Sequence, residues 1–131
     1  MNDAIETLHV EPWSSRWTFS PATSAGGFIF VSGLTATDDT GAIVGPGDFE
    51  AQTRHIFRKI ERILATKGAG LGDIVETVDY VTTLEGYGAS ARVRREIFGD
   101  RFPAATGVVV SALVRPEALI EIKATAYVGM R

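Results

Sequence analysis

The sequence predicts an α+β domain in which one β-sheet carries two helices on one face. Three features support this prediction: a compact apolar run at residues 28–31, a long amphipathic segment that follows Asp48, and strict alternation of apolar residues over 119–128. Two helices on one face leave the other face of the sheet without a partner inside the chain. We therefore expect that face to be buried by self-association.

Length and composition exclude several classes of protein. The chain has 131 residues, which is typical of one domain, and we expect a single domain over residues 1–131. The hydrophobic fraction of 45% argues against disorder. The absence of cysteine excludes disulfides, thiolate metal sites and cysteine nucleophiles. A formal net charge of -3 does not favour nucleic acid as a partner.

The sequence indicates no targeting or membrane segment. Residues 1–13 include Asp3, Glu6 and Glu11 and have no apolar core, so they do not resemble a signal peptide. No apolar run approaches the ~18 residues that a membrane-spanning helix needs. We therefore expect a cytoplasmic protein without a membrane partner.

The first half of the chain contains a strand, a turn and a helix. Residues 28–31, Phe-Ile-Phe-Val, are too short for a helix and lie between Gly-Gly at 26–27 and Ser-Gly at 32–33, which predicts a buried strand. The turn sequence at 38–41, Asp-Asp-Thr-Gly, is expected to have strands on both sides. Asp48 is a suitable N-cap for a helix over 48–67. Its buried face is predicted to contain Ile56, Ile60, Ile63 and Leu64.

The second half predicts three strands and one helix. Valine and threonine at 74–83 indicate a strand, and an arginine-rich helix over 87–98 follows. Further strands are expected over 107–113 and 119–128. In the last strand the even-numbered residues form an apolar face and the odd-numbered residues, including Glu121, form a mixed face.

Common catalytic motifs are absent. The two histidines, His9 and His55, lie far apart and the carboxylates are not in metal-ligand spacing, so we expect no metal site. Ser32 lacks the G-x-S-x-G context of a serine nucleophile. The glycines of residues 41–47 match neither the Walker nor the Rossmann spacing of phosphate-binding loops, and they are expected to form a turn.

Several short stretches follow one another in a characteristic order along the chain. They are Gly-Phe-Ile-Phe-Val-Ser-Gly at 27–33, Asp-Phe-Glu-Ala-Gln-Thr at 48–53, Gly-Asp-Ile-Val-Glu-Thr-Val at 72–78, Phe-Pro-Ala at 102–104 and Ile-Glu-Ile at 120–122. In this order and spacing, from about residue 16 onward, the chain resembles the RidA/YjgF family of imine and enamine deaminases.

The resemblance implies a chorismate-mutase-like fold, a single mixed sheet with two helices on one face, assembled as a homotrimer around a central barrel. Small-molecule clefts would lie between the subunits. A typical member is a cofactor-independent hydrolase that converts a small imino or enamino acid and releases ammonia. The family is thus expected to need neither a metal nor an organic cofactor.

The resemblance also implies site residues. Glu121 matches the catalytic glutamate that positions or activates water. Ser32 and Gly33 match the pair that lines the cleft. Phe19 stands where a tyrosine is usual, and Leu34 stands where glutamine is common. For Glu121 the alternative is a structural carboxylate on the surface or in an interface, and for Ser32 and Gly33 it is a simple strand-end turn.

One position departs from the family pattern. Ala105 stands where an arginine usually grips the substrate carboxylate, and a lost charge-assisted pair costs on the order of 1.5–3 kcal/mol. Either the substrate is not the usual 2-imino acid, or Arg16, Arg94 or Arg115 replaces that arginine. Of these, Arg94 is included in the predicted substrate-binding set, together with Ala105 and its neighbour Thr106.

Two functions therefore stay open. The first is hydrolysis of a C=N or enamine bond in a small metabolite, which the retained Glu121 favours. The second is a non-catalytic trimer that binds a small ligand or protects against stress, which Ala105 favours. Ribonuclease activity is a weaker prediction, because the chain is acidic and lacks an evident base.

Overall fold

The computed structural model describes residues 2–129 of the chain. It consists of one six-stranded mixed sheet, two long helices and a short helix near the N-terminus. The strands are β1 (Glu6–Leu8), β2 (Ala22–Ala25), β3 (Phe28–Leu34), β4 (Ile74–Val81), β5 (Ala104–Val109) and β6 (Ile120–Tyr127). The helices are α1 (Trp13–Arg16), α2 (Phe49–Ala65) and α3 (Ala89–Phe98), with a single 3-10 turn at Leu71–Asp73.

The strand order is β1-β2-β3-β6-β4-β5, so the last strand lies inside the sheet between β3 and β4. All neighbours are antiparallel except β4 and β5, which are parallel and are connected through α3. This helical connection is the usual way to join two parallel strands. Because β6 is internal, Glu121 is flanked by strands on both sides, with Tyr80 as its neighbour on β4.

Helix α2 confirms the predicted helix over 48–67. The Asp48 side chain accepts a hydrogen bond from the Ala51 amide at 3.0 Å, which satisfies one of the unpaired donors at the helix start. The predicted apolar residues form the buried face of the helix, and each is 0% exposed: Ile56, Ile60, Ile63 and Leu64. The core thus lies between α2 and one face of the sheet.

The two faces of the sheet differ as predicted. On β6 the even-numbered side chains are buried under the helices: Ile120, Ile122, Ala124 and Ala126. The other face, which we call the open face, has no cover within the subunit and exposes large apolar side chains: Phe28, Phe30, Val75 and Tyr127.

The structure corrects three details. Strand β5 spans Ala104–Val109 rather than 107–113, because its parallel pairing with β4 begins at Glu76 and Ala104 and ends at Val81 and Val109. Beyond the turn at 38–41 there is only one isolated bridge, not a strand. Helix α1 was not predicted. In the part of the chain that the structure describes, no helix is both long and apolar enough to cross a bilayer.

Candidate active site

A β-bulge lies beside Glu121. On β3 and β6, Val31 pairs with Ala124 and Leu34 pairs with Ile122, so three steps on β3 match two steps on β6. The additional residue lies within the Ser-Gly pair at 32–33. Bulges of this kind bend a strand and redirect its side chains, and they occur frequently next to active sites.

Gly33 makes room for the carboxylate of Glu121. A Cβ atom at position 33 would lie 2.3 Å from Oε2 and 3.0 Å from Cδ of Glu121. Gly33 does not have a left-handed backbone conformation, so glycine is needed here for space and not for its φ angle. The sequence pair Ser-Gly therefore has a physical reason in this fold, which is the close approach of a carboxylate to the β3 backbone.

Glu121 is half-buried, and burial raises the pKa of its carboxyl above the usual value. None of the salt bridges formed among residues 2–129 involves Glu121, and Lys123 does not pair with it. A carboxylate that is partly desolvated and without an ion pair is a suitable proton acceptor.

A cleft of about 250 Å³ adjoins the bulge. Its walls include Trp17, Phe19, Gly33 and Leu34. Phe19 stacks on Trp17 with a ring-centroid distance of 5.0 Å, and Trp17 stacks on the buried Trp13 at 5.3 Å. The result is a three-ring stack whose exposed end, Phe19, is available to an apolar part of a ligand.

Ser32 joins this aromatic segment to the sheet. Its hydroxyl donates to the Ser20 carbonyl at 2.6 Å, and its amide donates to the Pro21 carbonyl at 3.0 Å. These two bonds fix the chain just after Phe19 against the bulge. In this arrangement Ser32 shapes the cleft through the backbone of residues 20–21.

The cleft also contains three cationic side chains, Arg16, Lys59 and Arg115. Sequence reasoning missed Lys59, although a signal was present. Lys59 follows Ile56 by three residues and precedes Ile63 by four, a spacing that places it on the buried face of α2. The structure confirms that Lys59 is only 4% exposed.

Gln52 fixes the segment that leads into β6. Its side-chain amide donates to the carbonyls of Gly45 (3.1 Å) and Glu117 (3.2 Å), and its oxygen accepts from the Leu119 amide at 2.9 Å. Gln52 is completely buried, so these three bonds satisfy it. The clamp ends two residues before Glu121 and so contributes to its placement.

Other predicted site residues lie elsewhere within one subunit. Ala105 and Thr106 are on the outer strand β5, with β4 between them and Glu121. Arg94 donates to the buried carboxylate of Asp79 and, at 3.2 Å, to the Thr77 hydroxyl on the helix-covered face. Glu121 belongs to the opposite, open face, so a single subunit does not bring Arg94 to it.

Comparisons with known proteins identify the family and the fold of the chain. The profile of the family described as endoribonuclease L-PSP matches residues 11–128. The chain belongs to the RidA/YjgF family. It is 37% identical over 110 residues to the 3-aminoacrylate deaminase RutC of Acinetobacter baylyi, a match that covers 84% of this chain and 86% of that protein.

Solved structures of family members show the same fold. A Rid-family protein of unknown function from Yersinia pestis superposes with a TM-score of 0.86 at 30% identity, covering 95% of this chain and 100% of that one. A YjgF-family member from Mycobacterium tuberculosis superposes with a TM-score of 0.75 at 35% identity, covering 95% and 98%. These similarities confirm the RidA/YjgF-like α+β fold predicted from the sequence.

Among residues 2–129, no group of three or more His, Asp or Glu side chains is arranged to hold a metal ion. The candidate site brings together one carboxylate, Glu121, an aromatic wall and three cations.

Proposed function

We propose that the protein is a small-molecule hydrolase that deaminates a reactive enamine or imine. The observation that carries the proposal is the half-buried carboxylate of Glu121, which lies at the bulge without an ion pair and beside an aromatic cleft. The 37% identical relative is named a 3-aminoacrylate deaminase, and this supports the same type of chemistry.

The reaction needs one proton acceptor and one water molecule. An enamine first becomes an iminium ion when a proton from solvent adds to its carbon. Glu121 then takes a proton from water while the water oxygen bonds to the iminium carbon, and it passes that proton to the nitrogen. The C–N bond breaks as the hydroxyl proton returns to solvent, so ammonia leaves and a carbonyl compound remains. Atoms balance with no oxidant, reductant or cofactor.

We expect the substrate to differ from the usual 2-imino acid, because Ala105 offers no charge and no hydrogen-bond donor. Turnover of 2-iminopropionate should be weak, and Ala105→Arg should increase it by restoring a guanidinium. A wild-type rate equal to that of an arginine-bearing relative would show that position 105 does not determine substrate choice.

The functional assembly is proposed to be a cytoplasmic homotrimer with its clefts between subunits. The exposed apolar side chains of the open face, including Phe28, Phe30 and Tyr127, support self-association. In a trimer, β5 of one subunit is expected to contribute Ala105 and Thr106 to a cleft. Light scattering should give about three times 14.1 kDa, and a mass near 14.1 kDa at micromolar concentration would contradict the assembly.

Ammonia release from a panel of freshly generated imines and enamines tests the reaction. Glu121→Gln keeps the shape of the side chain and removes the proton acceptor, so turnover should fall by roughly 10²-fold or more. Glu61→Gln is the matched control, because Glu61 is an exposed carboxylate of helix α2, away from the open face. Equal turnover by wild type and Glu121→Gln would contradict the role of Glu121.

The second candidate is a non-catalytic trimer that binds a small ligand, and the alanine at position 105 favours it. This function predicts no ammonia from any member of the panel, with ligand binding retained. The two candidates are thus separated by the same assay.

A further inference from the structure

The cleft has an unusual charge composition. Its lining contains three cations, Arg16, Lys59 and Arg115, and no carboxylate. Glu121 lies against the lining residue Gly33 but is not itself part of the lining. For a chain of net negative charge this is a local excess of positive charge, and such an excess attracts an anion.

None of the three cations is neutralised by a carboxylate in direct contact. The Arg16 guanidinium donates to the backbone carbonyl of Asp39. Lys59 Nζ donates to the Thr35 carbonyl at 2.9 Å and to the Thr37 hydroxyl at 2.8 Å. Arg115 takes part in none of the salt bridges formed among residues 2–129. By contrast, other cations of the chain are paired with carboxylates: Arg54, Arg62, Lys67, Arg92 and Arg94.

Lys59 is held rigidly. Its ammonium lies 5.3 Å from the ring centroids of both Trp13 and Trp17, in addition to its two hydrogen bonds. Burial, together with the neighbouring charge of Arg115, lowers the pKa of Lys59 to about 8, while the nearby carboxylate of Asp39 opposes part of this shift. The amine is therefore still mostly protonated at neutral pH. The fixed charge of Lys59 therefore adds to the field in the cleft, while Arg16 and Arg115 are exposed and free to contact a ligand.

We propose that this cleft binds a carboxylate between the guanidinium groups of Arg16 and Arg115, in the field of Lys59. These groups thereby bind the carboxylate at a different place from position 105, which agrees with a substrate other than the usual 2-imino acid. Guanidinium groups suit this task because they bind carboxylates with paired, charge-assisted hydrogen bonds. The identification of the bound carboxylate as the substrate rests on the proposed deaminase function. On that basis the substrate is an anionic enamine or imine whose apolar part contacts Phe19.

Benzoate and benzamide provide a test that does not depend on turnover, because neither is hydrolysed by the proposed reaction. The two probes share an aromatic ring suited to the Phe19 platform and differ in charge. Calorimetric titration of the full-length protein should show benzoate binding about 10-fold or more tighter than benzamide. Arg115→Gln should weaken benzoate binding by about 10-fold and leave benzamide binding unchanged.

Arg95→Gln is the matched control, because Arg95 is an exposed arginine of α3 outside the cleft, and it should leave benzoate binding unchanged. Arg16→Gln should act like Arg115→Gln, with circular dichroism to show that the loss of its bond to Asp39 leaves the fold intact. Equal binding of benzoate and benzamide by the wild type would overturn the proposal, as would benzoate binding that is insensitive to both arginines.

These binding experiments can support or contradict the carboxylate site independently of the proposed deaminase activity. Selective benzoate binding without ammonia from any imine would support the carboxylate site and contradict the enzyme. Ammonia release with no preference for benzoate would support the enzyme and overturn the carboxylate site.

Discussion

The two faces of the sheet are built from the same strands but differ in how far their side chains are buried within one subunit. The covered face consists of fully buried aliphatic side chains, such as Ile29 and Ile122, packed against α2. This face also contains the ion pair of Arg94 with Asp79, and the Tyr87 hydroxyl donates a hydrogen bond to Asp79 at 2.6 Å. Nearly every group on this face is satisfied within the subunit, as expected for a folding core.

The open face is incomplete within one subunit. It exposes aromatic rings, it contains the carboxylate of Glu121 with no ion pair, and it borders the bulge at 32–33. The contrast teaches that the alternation of side chains along a single strand separates the core from the proposed site. On β6, Ile120 and Ile122 are buried in the core, and Glu121 between them belongs to the open face, where the proposed proton transfer would take place.

The largest expected effect is on the covered face. Ile29→Ala should lower the free energy of unfolding by ~2–5 kcal/mol, because Ile29 is 0% exposed and truncation leaves a cavity. Urea denaturation measures this loss. A decrease of less than about 0.5 kcal/mol would contradict the close packing of this face.

The adjacent residue on β3 provides the comparison on the open face. Phe30 is 48% exposed in the subunit, so Phe30→Ala should mainly weaken self-association, by about 1 kcal/mol per subunit. Light scattering over a range of dilutions should show the variant dissociating at a higher protein concentration than the wild type. Identical dissociation of the two proteins would place the subunit interface elsewhere.

A substitution at the bulge should lower enzymatic activity strongly but change the free energy of unfolding only slightly. Gly33→Ala forces the carboxylate of Glu121 to move by about an ångström, since the new Cβ would otherwise lie 2.3 Å from Oε2. A displacement of this size should reduce turnover by on the order of 10-fold to 100-fold. The unfolding free energy should change by less than about 1 kcal/mol, because the end of a flexible side chain is what shifts. Full activity would show that the position of Glu121 is not critical.

The smallest effect concerns Lys59. Its pKa is about 8 in the folded protein and near 10.5 in the unfolded chain, so the unfolded state binds more protons between these values. The free energy of unfolding should therefore increase as pH rises through this window, by roughly 1 kcal/mol per pH unit near pH 8–9.

Lys59→Met should abolish that increase. The measurement is urea denaturation of both proteins at a series of pH values between 7.5 and 9.5, a range set by the shifted pKa of Lys59. The range stays below pH 10 because burial raises the pKa of Tyr87 to about 12, which lowers stability as pH rises above 10. Parallel pH dependence in wild type and variant would contradict the buried environment of Lys59.

The sequence alone determined the features that depend on neighbouring residues. Helix α2 was predictable because an N-cap and a spacing of three and four residues are local properties. The two faces of β6 were predictable because side chains alternate along any strand. Resemblance to a family then singled out Glu121, although its surroundings were not visible in the sequence.

Tertiary structure decided which distant residues meet. The bulge that brings Gly33 against Glu121 depends on the register between strands almost ninety positions apart, and no local pattern contains that register. The same holds for the arginines: the sequence offered three candidates and favoured Arg94, but folding paired Arg94 with Asp79 and left Arg16 and Arg115 together in a cleft with Lys59. A charge acquires its role from the groups packed around it, and this packing is a property of the whole fold.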